Sequence, residues 1–478
     1  MRQFTPWRPH PWGANGWLCR VVAVAGCAAL LAVLGNPAAV VGQGFRPKTT
    51  KTTQPPTKGK TPPPPPPASK PLEIDPTKLP EGYEPPAAPP ELMELEKPLI
   101  TPEELDAYKK LLGQYRTRIR NSALNKEDRD IIEKGLKYRL YSMTLKENER
   151  NLHKLREDLT VQDLQFAGKL VPKAADVAPF RKYILDQIIR LTEPMLENSF
   201  LVRLQAVTLL GELELTPVDT QRNLPLEMYT PACELLIKVL SDPQQPLPVK
   251  IAAARSLVRQ CRYGKPPVEL KHKIASAAVA ELAKTSPNET HWWYQTRLME
   301  VLEQLDVTLD LQTRKPFIVN ALLNVLNDPQ RDWQARAQAA HSLGRVPFDP
   351  AQVQPQAVLR DIMQFALDLS KAAQQDPKNA QWKTCLLKLY LAFQPRGGDD
   401  TEATRRSRGG LLNSPTAAVA SLAQQTYPLV VPIVNSVLND KPIAAQMIQA
   451  VDDWVQKNKP MNAAQAQRAT DTAATDTP

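Results

Sequence analysis

Five histidines, His10, His153, His272, His291 and His341, are the first residues to test for chemistry. None forms a His-Glu-x-x-His pair, in which two imidazoles one helical turn apart hold zinc and the glutamate acts as base. None has a second ligand at metal spacing. The chain has no Cys-x-x-Cys-His, no Gly-x-Ser-x-Gly elbow and no Gly-x-Gly-x-x-Gly loop. Gly59-Lys60-Thr61 matches the end of a phosphate loop, but Gln54 stands where its first glycine belongs and Pro62 follows where a helix should open. These residues imply no catalytic group, no metal set and no cofactor. The alternative is an envelope enzyme, or an accessory subunit of one, whose site is assembled from distant segments.

Two groups of residues could instead bind or cross-link. Trp293, Trp333 and Trp382 each precede a base (Arg297, Arg336, Lys383), and Trp292 and Tyr294 flank the first of them. If each base opens the second helix of a pair, the rings line one edge of a stack. They would then grip a partner peptide or glycan, because tryptophan offers large area at small entropic cost. The competing reading plugs each ring between neighbouring pairs, as Phe200 and Leu247 would in earlier pairs, and the usual burial of tryptophan favours it. The second group is Cys233 and Cys261. They sit at the start of one expected helix (about 231–241) and the end of the next (about 247–261), where a disulfide is geometrically open to them.

The elements that must position these residues are helical. Thr101-Pro102-Glu103-Glu104 is a capping box, followed by Leu105, Tyr108, Leu111, Leu112, Tyr115 and Ile119 on one helical face. A longer pattern starts near Lys126, and Thr160-Val161-Gln162-Asp163 reads as another helix start. Apolar anchors then recur at Leu196, Leu240, Leu282, Leu326 and Leu369, in steps of 44, 42, 44 and 43 residues. Val239-Leu240-Ser241-Asp242-Pro243 and Val325-Leu326-Asn327-Asp328-Pro329 are nearly the same string, and Val437-Leu438-Asn439-Asp440 reads as a third copy after an inserted loop (394–415). After each anchor a base is followed by apolar residues three, four and seven on, as in Arg203, Lys250, Arg336 and Lys383. At Arg297 the stripe shifts to Leu298, Val301, Leu302 and Leu305. Asp242 and Asp328 each precede such a base by eight residues and are expected to bond turn amides or Lys250 and Arg336.

On these residues the chain resembles the HEAT-repeat, armadillo-like family of stacked helix pairs. The resemblance implies an all-α fold, a right-handed α-solenoid of about six helix pairs over 179–457, with 101–178 as a helical N-terminal cap. It also implies a non-catalytic scaffold that binds a protein partner on an extended surface.

The front of the chain reads as an address. Arg2, Arg8 and Arg20 precede the apolar run VVAVAGCAALLAVLG (21–35), the pattern of a signal peptide. The segment 1–42 is thus a cleaved signal or a retained membrane anchor; Val24-Ala25-Gly26-Cys27 resembles a lipobox. The protein is expected to be exported, to a periplasm or cell envelope. Of 47 prolines, 21 lie in the first 100 residues, so 43–100 reads as a disordered, Pro-rich linker. Its six bases between Phe45 and Lys70, with no acid, suit contact with anionic membrane or wall polymer, or simple solvation. The residues 458–478 read as a disordered tail. The formal charge is +10, with 60 Lys and Arg against 50 Asp and Glu. Acids interleaved with the bases of 109–156 make that region a solvated helix face, and no nucleic-acid partner is expected. Five cysteines in 478 residues exclude a disulfide scaffold, and 18 glycines exclude collagen.

Overall fold

A computed structural model describes residues 97–220, 224–285, 291–347, 349–394 and 410–459. All described residues belong to one unit, Glu84–Pro478. The apolar run 21–35, the basic linker and the tail from 460 lie outside the described residues.

The described chain is all-α apart from one short hairpin. It opens with α1 (Pro102–Lys110), α2 (Leu112–Arg118), α3 (Lys126–Tyr141) and α4 (Leu152–Glu157). The capping box forms as its residues require. Thr101 Oγ1 accepts the Glu104 N–H and Glu104 accepts the Thr101 N–H, each at 3.2 Å. Asn125 caps α3 by accepting the Asp128 N–H at 2.8 Å. Order also reaches back past Thr101: Ile100 is buried, and the Lys97 carbonyl accepts from Asn198 at 2.7 Å. Thr160 does not start a helix. The chain continues from α4 into a π-helical turn (Asp158–Asp163), where the Thr160 hydroxyl bonds back to the Arg156 carbonyl. On the exposed side of this region Lys134 pairs with Asp130 and Lys137 with Glu133, one helical turn apart, and Arg118 reaches buried Asp128. Arg139 and Asp163 form a buried pair instead.

Twelve helices follow two by two: α5 (Ala174–Thr192) and α6 (Phe200–Glu212), α7 (Cys233–Ser241) and α8 (Leu247–Tyr263), α9 (Val268–Lys284) and α10 (Trp292–Leu302), α11 (Phe317–Asn327) and α12 (Trp333–Leu343), α13 (Pro355–Gln375) and α14 (Gln381–Phe393), α15 (Ala417–Leu438) and α16 (Ala445–Lys457). α5 begins at Ala174, so the boundary expected at 178/179 falls inside a helix that carries Pro179. The anchors Leu196, Leu240, Leu282, Leu326 and Leu369 are all buried. First helices pack on first helices, α7 on α9, α9 on α11, α11 on α13. Second helices pack on second helices, α6 on α8, α8 on α10, α10 on α12, α12 on α14. Side chains fasten the second row: Ser256 and Gln260 of α8 donate to the Val207 and Leu210 carbonyls of α6 at 3.1 and 2.8 Å.

The last two helices depart from the expected order. α15 packs on both α13 and α14, whereas α16 packs on α13. Leu438, which the string Val437-Leu438-Asn439-Asp440 placed as an anchor, is 39% exposed. The end of α15 therefore does not repeat the buried ends of α7 and α11. α15 is long and apolar enough to cross a membrane, yet Val419, Ala423, Val430, Ile433 and Val434 are buried.

A hairpin of Glu214–Thr216 and Glu227–Met228 separates α6 from α7, a strand pair that the expected all-α fold did not include. Arg181 of α5 holds it. Its guanidinium donates to the Leu215 and Glu214 carbonyls at 2.7 and 2.8 Å, and to those of Leu164 and Ala167 at 2.7 and 3.0 Å.

The α12–α14 contact is close because Gly344 lacks a side chain. A Cβ there would lie 2.2 Å from the Ala392 carbonyl oxygen, and that carbonyl belongs to a buried residue that cannot swing away. Gly344→Ala is expected to lower stability by about 1–3 kcal/mol through overpacking. Urea unfolding of the variant checks this, and an unchanged midpoint would contradict the close approach.

Candidate binding face

The second helices carry the candidate residues, and three of them, α8, α12 and α14, hold bases without acids. α8 bears Lys250, Arg255, Arg259 and Arg262 and α14 bears Lys383 and Lys388, with no acid in either helix. α12 adds Arg336, again without an acid.

The tryptophan row divides in two. Trp382 is only 5% exposed, and its indole N–H donates to the Asp376 carbonyl at 2.7 Å. The ring of Trp333 stands edge-on to it at 5.7 Å and lies 6.0 Å from Phe365. The Arg336 guanidinium covers Trp333 and Phe365 at 4.9 and 5.1 Å. These two rings are a plug where α12, α13 and α14 meet. Tyr294 is also interior. Its hydroxyl donates to Glu281 at 3.0 Å, and Glu281 in turn pairs with Lys250 at 3.0 Å and Lys284 at 2.7 Å. Burial first, then the charge of Glu281, raises the Tyr294 hydroxyl well above its ordinary range, so it stays a proton donor.

Trp293 faces outward, whereas Trp292 packs partly against the core. Trp293 is 49% exposed and Trp292 half-buried. Their rings lie 6.4 Å apart, and the His291 ring lies 5.5 Å from Trp292. His291 caps α10 by accepting the Trp293 N–H at 3.2 Å, which fixes both rings at the helix start. Arg297 lies 5.8 Å from the Trp293 ring and Lys388 lies 5.9 Å from Trp292, so each ring has a cation beside it. Burial lowers the Lys388 ammonium below its ordinary value, against the nearby carboxylates Glu300 and Glu303.

Beside this patch α8, α10 and α12 enclose a cleft of about 390 Å³. Arg255, Val258, Arg259, Arg262 and Tyr263 line one wall, Arg297, Glu300 and Glu303 the floor, and Gln338 and His341 the other wall. Arg259 pairs with Glu214 at 2.8 Å, and Arg297 pairs with Glu300. His341 Nδ1 lies 3.0 Å from Glu303, and the Ser342 hydroxyl donates to the same carboxylate at 3.3 Å. This Ser, His and Glu do not make a nucleophile and its base, because the serine is fully buried and bonded to Glu303. Among the described residues no three His, Cys, Asp or Glu side chains could hold a metal ion together.

Other expected residues are placed as follows. Cys233 and Cys261 are buried free thiols, with no disulfide between them. Burial pushes the Cys261 thiol up to about 12, so it stays protonated and inert. Asp242 and Asp328 bond turn amides, accepting the Gln244 and Gln330 N–H groups at 2.9 and 3.0 Å. The bases eight residues on go elsewhere: Lys250 to Glu281 of the following first helix, Arg336 to the Leu326 carbonyl and Asp368. The arginines at 255, 259 and 262 were not singled out from the sequence. Their spacing of four and three on an acid-free helix was the available signal.

No protein-family model, curated protein or solved structure matches this chain.

Proposed function

We propose that the chain is a non-catalytic scaffold, an α-solenoid of HEAT-like helix pairs that holds a protein partner against its row of second helices. The stack follows from the steady 42- to 44-residue spacing of buried anchors and from the like-on-like packing of first and second helices. An exported or membrane-tethered location follows from Arg2, Arg8, Arg20 and the apolar run 21–35. The observation that carries partner binding is the exposed Trp293 beside half-buried Trp292, held by a helix cap one turn from Arg297, which lines the arginine-rich cleft. Trp293 is absent from the core while Trp292 beside it packs on the core, so the exposed ring is held rigidly, as an interface anchor is.

Trp293→Ala tests this. Its ring lies outside the core, so stability should change by about 0.5 kcal/mol or less. Capture of protein from solubilised envelope by the full-length chain should fall at least about tenfold, as for an interface anchor. A large loss of stability with capture intact per folded molecule would return Trp293 to the core and remove the proposed face.

A further inference from the structure

The cleft between α8, α10 and α12 carries more positive charge than its own acids neutralise. Arg259 is paired with Glu214 and Arg297 with Glu300. Arg255 is exposed, and neither it nor Arg262 has a carboxylate at ion-pair distance among the described residues; Arg262 reaches only the Gln304 amide oxygen, at 3.3 Å. Both belong to one stripe of α8. Seven residues separate them, which at 1.5 Å per residue places them about 10 Å apart along the helix. Two guanidinium groups carried on one face of a helix, about 10 Å apart at their backbones and without carboxylate partners among the described residues, form a spaced pair of carboxylate-binding groups.

We propose that Arg255 and Arg262 bind an acidic peptide segment of the partner, in extended polyproline-type conformation, with carboxylates three residues apart. This rests on the proposed scaffold role and specifies what the face recognises. A polyproline II helix has three residues per turn and rises 3.1 Å per residue, so side chains at i and i+3 share a face about 9.3 Å apart. That repeat matches the arginine spacing. Trp293, joined to the cleft through Arg297, offers a stacking surface for the prolines of such a segment. A continuous polyanion fits less well. Glu214 and Glu300 interrupt the positive stripe and would lie against a phosphate or polysaccharide backbone, whereas a peptide can place neutral residues there.

The test uses the full-length protein in non-ionic detergent and three labelled twelve-residue peptides: Glu-Pro-Pro repeated four times, Gln-Pro-Pro repeated four times, and four consecutive glutamates followed by eight prolines. Anisotropy should show binding of the first at moderate salt, at least about tenfold weaker binding of the other two, and loss of affinity as salt rises. Arg255→Glu and Arg262→Glu should each weaken the first peptide at least about tenfold, while Lys273→Glu on α9 leaves it unchanged. Circular dichroism confirms that the variants fold. Equal binding of the glutamine peptide, of the block peptide or of polyphosphate of equal charge would overturn the proposal, as would wild-type affinity in both arginine variants. Envelope capture separates the two readings. If Trp293→Ala abolishes capture and the arginine variants do not, the acidic segment is wrong and the scaffold stands. If none of the three affects capture, both fall.

Discussion

Arg181→Met is expected to cost about 3–5 kcal/mol of stability, because it leaves buried backbone acceptors without donors. The guanidinium is 5% exposed and donates to four carbonyls from two segments, 164–167 and 214–215. Neither segment can form a regular helix or a full sheet ladder that would use those carbonyls, so the five donors of one arginine replace secondary structure there. Burial pulls the guanidinium down to about 10, opposed by the charge of Glu214, which is the measure of how dry the site is. Methionine fills the volume of the stem but supplies no donor. Each orphaned carbonyl costs roughly 1–3 kcal/mol if water stays out, and partial hydration brings the total to the stated range. Lysine keeps the charge but not the planar fork, so Arg181→Lys should recover less than about half of the loss. The damage should be local, since Arg181 joins only the segments 164–167 and 214–215 to α5. Amide exchange ought to accelerate first at 214–216 and 227–228. A stability change below about 1 kcal/mol would show that the hairpin stands without the arginine.

The second large effect is expected at Trp382. Truncation to alanine empties a site bounded by Trp333 and the chain turn at Asp376, and should cost about 3–5 kcal/mol. The indole N–H also leaves the Asp376 carbonyl without its 2.7 Å donor. Trp382→Phe should cost less than half as much, since a ring remains. Because Trp333 packs edge-on against it, Trp333→Ala should be less costly in the Trp382→Ala background than alone. Additive losses would mean that the two rings are independent. A loss below about 1 kcal/mol at Trp382 would contradict its place in the core.

The contrast between Trp382 and Trp293 also marks what the residues alone could convey. Both precede a base near the start of a second helix, and the same spacing supports a plug and a binding strip. What separates them is tertiary packing: Trp333 and Phe365, from other helices, close the site of Trp382, while Trp293 has Arg297 of its own helix and the neighbouring Trp292 ring beside it and stays 49% exposed. Local patterns were legible where local physics decides. The capping box at Thr101, the helix from Lys126, the anchors from Leu196 to Leu369 and the shifted stripe at Leu298, Val301, Leu302 and Leu305 all form as the sequence implies. The hairpin at 214–228 was not legible, because a two-strand element of so few residues is fixed by Arg181 and not by its own alternation. The string at 437–440 misled for a related reason. It repeats Val325-Leu326-Asn327-Asp328, with Lys441 in place of Pro329, but α15 packs on α14 as well as α13 and Leu438 is exposed. Asp242 and Asp328 were expected to bond turn amides or the bases Lys250 and Arg336, and of these alternatives they take the amides. The bases reach first helices of the neighbouring pair, where Glu281 is buried and Asp368 is available.

Site-specific photo-crosslinking tests the central claim most directly. A photoreactive residue is placed at 293 on the second-helix row, and in a separate chain at exposed Lys273 on α9, in full-length protein within its native envelope. The account predicts one discrete protein adduct from position 293 and none from 273, with the adduct lost on adding an excess of unlabelled protein. Adducts of equal yield from both positions, or from 273 alone, would contradict a partner seated on the second helices.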